Sequence, residues 1–389
     1  MVSLGNGSNR KKIMVIFGTR PEAIKMAPLV IELKGHSCFT TIVAVTAQHR
    51  HMLDQVLDLF DIAPDYDLDI MSEGQTLTDI TIRCLSGLAS CLEAESPDLV
   101  LVHGDTSTTM AGALSAFYHK IPVGHVEAGL RTGQKYSPYP EEMNRQLTAV
   151  LADLHFAPTK NHKENLIREG ISPQKIFVTG NTVIDALLAA TARDFSFRDP
   201  VLASIPFDRY RMVLVTAHRR ENWGRPLEEI LTAIRELVHT FPDLIVVFPV
   251  HMNPQVRRPA HEILGAEERV YLIDPVDYLT MVNLMKRCYL VLTDSGGMQE
   301  EAPSLNKPVL VLRDVTERPE GLASGTLRLA GTSKERILKE AVRLLSDRSA
   351  YAEMAYAGNP YGDGQACQRI VKAIKYYFGM EDSPPADFV

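Results

Sequence analysis

A Ser-Gly-Gly turn at 295–297 leads directly into two adjacent acids, Glu300 and Glu301. Apolar runs at 291–293 and 309–312 flank it and read as buried strands of a parallel sheet. Such a turn lets backbone N–H groups face a ligand with no side chain in the way. Acids one helical turn later suit hydroxyls better than a phosphate. Ser295, Gly296 and Gly297 are therefore candidates for a nucleotide phosphate, and Glu301 for its ribose. An ordinary strand–turn–helix with a serine cap reads the same letters.

Further charged residues stand where apolar runs end. FGTRPEAIKMAP places Arg20 in a turn, Pro21 in the first helical turn and Lys25 about one turn on, a suitable grip for a diphosphate. LVHGDTSTT puts Asp105 just past a strand, where it could act on a ligand or cap the next helix. GHVEAGLRTG puts Glu127 at another strand end, and a carboxylate there needs a partner or a task. YPEEMNRQL sets Glu141 and Arg145 at i, i+4, which also fits a plain surface ion pair. His218, with Arg219 and Arg220, follows a later strand, His251 the next, and Arg313, Glu317 and Arg318 follow the run at 309–312. The acids and the Lys/Arg pair fall in the first half, and His218, the arginines and the Ser-Gly-Gly turn in the second. That partition predicts acid–base chemistry in the first half and nucleotide binding in the second.

Several familiar signals are missing. No P-loop and no HExxH occur, and GNG at 5–7 precedes the first strand, so no dinucleotide fingerprint is present. His49 and His51 could ligate a metal, and DYDLD at 65–69 resembles a DxD site. A solvated loop and a polar strand end explain them more simply. We expect neither cofactor nor metal.

These residues need strands and helices to hold them. Short β-branched runs alternate with helical stretches along all 389 residues, the pattern of α/β architecture. The first half predicts strands at 13–17, 41–45, 99–102, 122–126, 155–157 and 176–178. The second predicts 212–216, 244–249, 270–273, 289–293 and 309–312. Residues 193–210, aperiodic and with two prolines, are the candidate linker. We expect two Rossmann-like doubly wound domains, 12–185 and 186–363, facing across a cleft, with an amphipathic helix at 364–379 packing back on the first domain. Residues 1–11 and 380–389 read as a flexible lead and tail.

Composition narrows the class. Hydrophobic residues make up 45% and charged residues 23%, as in soluble globular proteins. A net charge of −7 disfavours broad nucleic-acid or membrane binding. Five scattered cysteines without a CxxC suit reduced thiols in the cytoplasm. No apolar run approaches the ~18 residues of a membrane helix.

Taken together, FGTRPEAIK, HGDTSTT, HVEAGLRTG, YPEEMNR, TAHRRENWG, PVHMNP, TDSGGMQEEAPSLNKPVLVLRD and TERPEG resemble the non-hydrolysing UDP-N-acetylglucosamine 2-epimerases, in order, over about residues 12 to 378. The resemblance implies a GT-B pair of Rossmann-like domains, a cytoplasmic homodimer, and interconversion of UDP-GlcNAc and UDP-ManNAc for surface polysaccharides. It places Arg20 and Lys25 near the diphosphate and Arg318 by the nucleotide, with Ser295, Gly296, Gly297 and Glu301 as read above. His218 stands by the phosphates or the leaving oxygen, and Asp105, Glu127 and Glu141 are the catalytic acids, with Arg145 beside them. Met281 stands where many members carry an aromatic near uracil; methionine can still pack on a base. A second, regulatory UDP-GlcNAc is implied at Gln48, His49, Arg50, Glu141 and His251.

The chemistry implied explains the residue types. The sugar C2 proton is scarcely acidic until UDP leaves C1, so elimination to 2-acetamidoglucal and re-addition is the favoured route, without NAD. Proton exchange on opposite ring faces calls for two acid–base groups, and clustered carboxylates push one another's pKa values apart. The leaving diphosphate calls for fixed positive charge, and closure of the domains would keep water out.

Overall fold

Runs of buried β-branched residues form two parallel sheets in the computed structural model, which describes residues 10–47 and 50–389. The chain divides into two compact units. One runs through Ala186 and takes in Gly362–Val389, and the other is Leu187–Tyr361. No described helix is long and apolar enough to cross a membrane.

The first unit's strands are β1 (Lys11–Phe17), β2 (Phe39–Val45), β3 (Tyr66–Asp67), β4 (Leu99–His103), β5 (Val123–Val126), β6 (Leu154–Ala157) and β7 (Ile176–Val178). They lie in the order β3-β2-β1-β4-β5-β6-β7, all parallel. Helices α1 (Arg20–Lys34), α2 (Arg50–Leu59), α3 (Leu77–Glu95), α4 (Ser107–Tyr118), α5 (Glu141–Leu151) and α6 (Lys160–Arg168) make the crossovers, and α7 (Thr182–Thr191) follows β7. Ile13 to Phe17 are fully buried, as a central strand covered on both faces requires.

The second unit repeats the plan. Strands β8 (Arg211–Thr216), β9 (Leu244–Pro249), β10 (Val270–Ile273), β11 (Leu290–Thr293), β12 (Val309–Val311) and β13 (Leu327–Leu329) lie in the order β10-β9-β8-β11-β12-β13. Helices α8 (Pro200–Ser204), α9 (Arg225–Thr240), α10 (Pro254–Leu264), α11 (Tyr278–Arg287), α12 (Gly296–Glu301), α13 (Pro319–Ser324), α14 (Lys334–Ser346) and α15 (Arg348–Ala355) complete it. In α9, Leu227, Ile230, Leu231, Ile234, Leu237 and Val238 recur at three- and four-residue spacing and fill the core. The two Rossmann-like units fit the α/β class read from the sequence.

Strand order reverses between β1 and β4 in one sheet and between β8 and β11 in the other. At such a switch point neighbouring crossovers diverge and leave a crevice beyond the strand ends. Arg20 and Asp105 follow the first pair of strands, His218 and Ser295 the second.

The last helix, α16 (Ala366–Tyr377), belongs to the first unit and packs on α1. Asp185 of α7 accepts from the amides of Ala366 and Cys367 at 3.2 and 2.9 Å and so secures its start. The final residues also make defined contacts. Asp387 accepts from Val178 N–H and Lys163 Nζ, and Phe388 N–H donates to Val178 O at 2.8 Å, beside edge strand β7.

The segment 193–210 behaves differently from a bare linker. It carries α8, and Phe197 lies between Phe195 and Phe207 with Arg287 of α11 4.8 Å above its ring. The chain passes between units within α7 and again after Tyr361. Strands β3 and β13 went unread because each is two or three residues long and carries an Asp or Arg.

Candidate active site

In the first unit Glu127 sits just after β5, with a φ of 60°. The Lys25 ammonium lies 2.6 and 2.7 Å from its two carboxylate oxygens, and His103 Nε2, at the end of β4, lies 2.8 Å from Oε2. Asn181 Nδ2 donates to Oε1 at 3.3 Å. Burial alone would raise this carboxyl; Lys25 and His103 outweigh it and hold it well below the usual range. The sequence assigned Lys25 to a diphosphate, and in the structure it grips Glu127.

Asp105 follows β4 beside this cluster. A Cβ on Gly104 would stand 3.7 Å from Glu127 Oε2, so the carboxylate lies against the backbone leading into Asp105. The capping alternative fails, because Thr106 caps α4 by accepting from Thr109 N–H. The Asp105 carboxylate pairs instead with Arg145 Nη2, and Asn144 Nδ2 donates to its backbone oxygen at 2.9 Å. Arg145 does not take Glu141 four residues back. Its other amino group donates to Glu142 Oε2 at 3.2 Å. Glu141 Oε2 is buried and has no hydrogen-bond partner among the described residues. Arg20, half-buried, opens α1.

Glu22 is the residue the sequence reading missed beneath these groups. It is 2% exposed and accepts from the amides of Gly18 and Thr19 and the hydroxyls of Thr106 and Thr109. One carboxylate thus ties the turn after β1 to the turn after β4. Its only sequence signal was the T-x-x-E capping pattern at Thr19–Glu22.

In the second unit Asp294 is the hub. Fully buried, it accepts from the amides of His218 and Arg219, both at 2.8 Å, and from Asn222 Nδ2, while His218 Nδ1 lies 3.1 Å from Oδ1. Burial would raise this carboxyl, and His218 and the two amides hold it below its ordinary value. The His218 ring stacks on His251 at 5.9 Å between centroids. Ser295 occupies the cap position of α12 without a capping bond from its hydroxyl. A Cβ on Gly296 would find Arg318 Nη2 at 3.6 Å and Arg219 Nη2 at 3.9 Å, so two guanidinium groups converge on the bare turn. Arg318 is braced by Glu300, and Glu301 Oε1 accepts from Tyr278 at 3.0 Å. Tyr278 opens α11, which also carries the half-buried Met281.

Gln48 and His49 lie outside the described residues, and Arg50 opens α2 with its side chain likewise undescribed. His251 is exposed beside His218.

The family model for UDP-N-acetylglucosamine 2-epimerase matches residues 31–375. The chain belongs to that family. The UDP-N-acetylglucosamine 2-epimerase of Bacillus subtilis is 56% identical over 377 residues, covering 97% of this chain and 98% of its own. That of Escherichia coli K12 is 57% identical over 370 residues, covering 94% and 98%. The crystal structure of the Neisseria meningitidis UDP-GlcNAc 2-epimerase bound to UDP-GlcNAc superposes with a TM-score of 0.86 at 50% identity, covering 94% of this chain and all of that one. As a member of an epimerase family the chain is an isomerase. Besides Glu22, the geometry adds His103, Glu142, Tyr278 and Asp294 to the residues read from the sequence. All of these but Tyr278 lie within two residues of a candidate read from the sequence.

Proposed function

We propose that this chain interconverts UDP-GlcNAc and UDP-ManNAc by inverting C2 of the sugar. The observation carrying the proposal is the grouping of Glu127 with Lys25 and His103 beside the Asp105–Arg145 pair, at the strand ends of the first unit. A base removes the C2 proton, a C1=C2 bond forms, and the C1–O bond breaks with its electron pair leaving on UDP. The intermediate is 2-acetamidoglucal. A phosphate oxygen of UDP then attacks C1, and C2 takes a proton on the opposite face.

Asp105, Glu127 and Glu141 share the acid–base work, and Arg145 holds Asp105. Glu127, ionised by its partners, suits a base. Glu141, with a buried oxygen that has no partner among the described residues, suits a group that meets the sugar. In the second unit Ser295, Gly296, Gly297, Arg318 and His218 take the diphosphate, Glu301 the ribose, and Met281 the uracil side. Arg20 adds positive charge from the first unit. The bound UDP-GlcNAc in the Neisseria relative supports this substrate.

The chain works as a cytoplasmic homodimer, and its product supplies ManNAc-type sugars for surface polysaccharides. Exposed Phe117 and Tyr118 on α4 and Leu147 and Val150 on the adjacent α5 suit a second copy. A second UDP-GlcNAc, held by Gln48, His49, Arg50, Glu141 and His251, regulates turnover.

The test is incubation with UDP-GlcNAc alone in D₂O, followed by NMR. A manno anomeric signal with deuterium at C2 is expected. Free ManNAc plus UDP would mean a hydrolysing enzyme, and unchanged UDP-GlcNAc without exchange would remove the proposal.

A further inference from the structure

Two adjacent acids, Glu141 and Glu142, compete for one arginine, and the fold awards it to the wholly buried one. Glu142 is 0% exposed. A carboxylate so placed must find donors for its lone pairs. Thr132 N–H reaches Oε2 at 3.1 Å, Gly133 N–H reaches Oε1 at 3.2 Å, and Arg145 Nη1 reaches Oε2 at 3.2 Å. Gln146 Nε2 stands 3.4 Å from Oε1. Burial would raise this carboxyl; the two amides, the Thr132 hydroxyl and Arg145 overcome that and keep it ionised.

A guanidinium is planar, so fixing one amino group fixes the direction of the other. With Nη1 tied to Glu142, Nη2 points at Asp105. Side-chain exposure rises along this chain of contacts, from 0% at Glu142 through 9% at Arg145 to 27% at Asp105. The inner end is an anchor and the outer end can meet a ligand. Without the Glu142 charge, Arg145 would be free to chelate Asp105 with both amino groups. It could equally swing to Glu141 at i, i+4, whose Oε2 has no partner among the described residues. Either move would tie up an acid that the reaction needs.

We propose that Glu142 is a positioning residue for the epimerisation, acting through Arg145 to aim the Asp105 carboxylate and to leave Glu141 free. The proposal rests on the reading of Asp105 as an acid–base group.

The experiment compares Glu142→Gln, Glu142→Asp, Arg145→Met, Asp105→Asn and the Glu142→Gln/Arg145→Met double variant with UDP-GlcNAc as substrate. Glu142→Gln should lower kcat about 10- to 100-fold, the scale of a small misplacement of a reacting group. KM should stay within about twofold, because ground-state binding is untouched. Glu142→Asp keeps the charge and should restore part of kcat. The double variant should be no slower than Arg145→Met, since Glu142 acts only through that arginine. An unchanged kcat in Glu142→Gln, or losses that multiply in the double variant, overturns the proposal. If Glu142→Gln does not fold, Glu142→Asp decides: a loss in kcat with KM unchanged supports the proposal and an unchanged kcat overturns it. Full activity of Asp105→Asn would remove the reading of Asp105 and this inference together. An inactive Asp105→Asn beside a fully active Glu142→Gln would remove this inference alone.

Discussion

Lys25 and Glu127 are 102 residues apart in the chain, yet the ammonium spans both carboxylate oxygens at 2.6 and 2.7 Å. Both side chains are largely buried, at 16% and 12% exposure. Removing one partner of such a pair costs about 3 kcal/mol. Lys25→Met should therefore lower stability in urea at pH 7 by about that amount. The folded carboxyl sits below its unfolded value of about 4.3, so the pair's contribution is present above that pH and is lost as pH falls through the folded value. The gap between parent and variant should accordingly shrink below about pH 4. A gap that stays constant down to pH 3 would refute the assignment.

Two buried histidines should make the first unit acid-labile. His125 and His155 face each other in register on β5 and β6, and burial depresses them to about 3 and about 4. The unfolded chain takes up protons near pH 6.5, where the folded one does not. Their effect on stability is nil above about 6.5 and grows more unfavourable as pH falls towards the folded values, by about 1.4 kcal/mol per pH unit for each histidine. His155→Phe deletes one titration, so its unfolding free energy should fall less steeply between pH 6 and 4. Parallel curves for parent and variant would contradict this.

The two acid assignments separate from binding. Asp105→Asn and Glu127→Gln should each cut turnover about 10²-fold or more while UDP still binds. Isothermal titration with UDP and NMR with UDP-GlcNAc give the two readouts. Full activity in both variants ends the assignment.

Two glycines should respond in opposite ways. Gly129 has a φ of 94°, and a Cβ there would lie 2.3 Å from His162 O. Gly129→Ala should cost about 2 kcal/mol or more of stability. At Gly296 the nearest atom to a new Cβ is Arg318 Nη2, at 3.6 Å. Gly296→Ala should leave stability within about 0.5 kcal/mol. Its methyl group would occupy the space proposed for a phosphate, so UDP affinity should fall about tenfold, roughly 1.4 kcal/mol. Thermal melts and titration distinguish the two effects.

Val150 is 79% exposed on α5, which packs on α4, where Phe117 and Tyr118 are also exposed. Val150→Asp should convert a dimer to a monomer in light scattering without loss of helix content, because charge is costly inside an apolar interface. A parent protein that runs as a monomer would end the proposal.

The sequence was most informative where burial repeats along a strand. The interior strands, from Ile13–Phe17 to Val291–Thr293, stood out because each is a closed run of apolar residues. The glycine turn at 296 and the acids at strand ends stood out for the opposite reason: they break such runs. Partner choice within a helix was not legible. Spacing alone allowed Arg145 to take Glu141 or Glu142, and the choice depends on the Thr132 and Gly133 amides, which a loop carries to that place. Lys25 was likewise matched to a ligand because nothing local reveals Glu127 about a hundred residues away. Contacts between distant segments, such as Glu22 with Thr106 and Thr109, are products of strand order and cannot be seen in one window of sequence.

The seating of α16 on α1 has a consequence for biosynthesis. A ribosome releases Arg20 and Lys25 before the second unit, but the helix that covers their own helix emerges only after that whole unit. The second unit, continuous in sequence, can finish while the nascent chain is still tethered. The first unit is completed only after the whole of the second has been made.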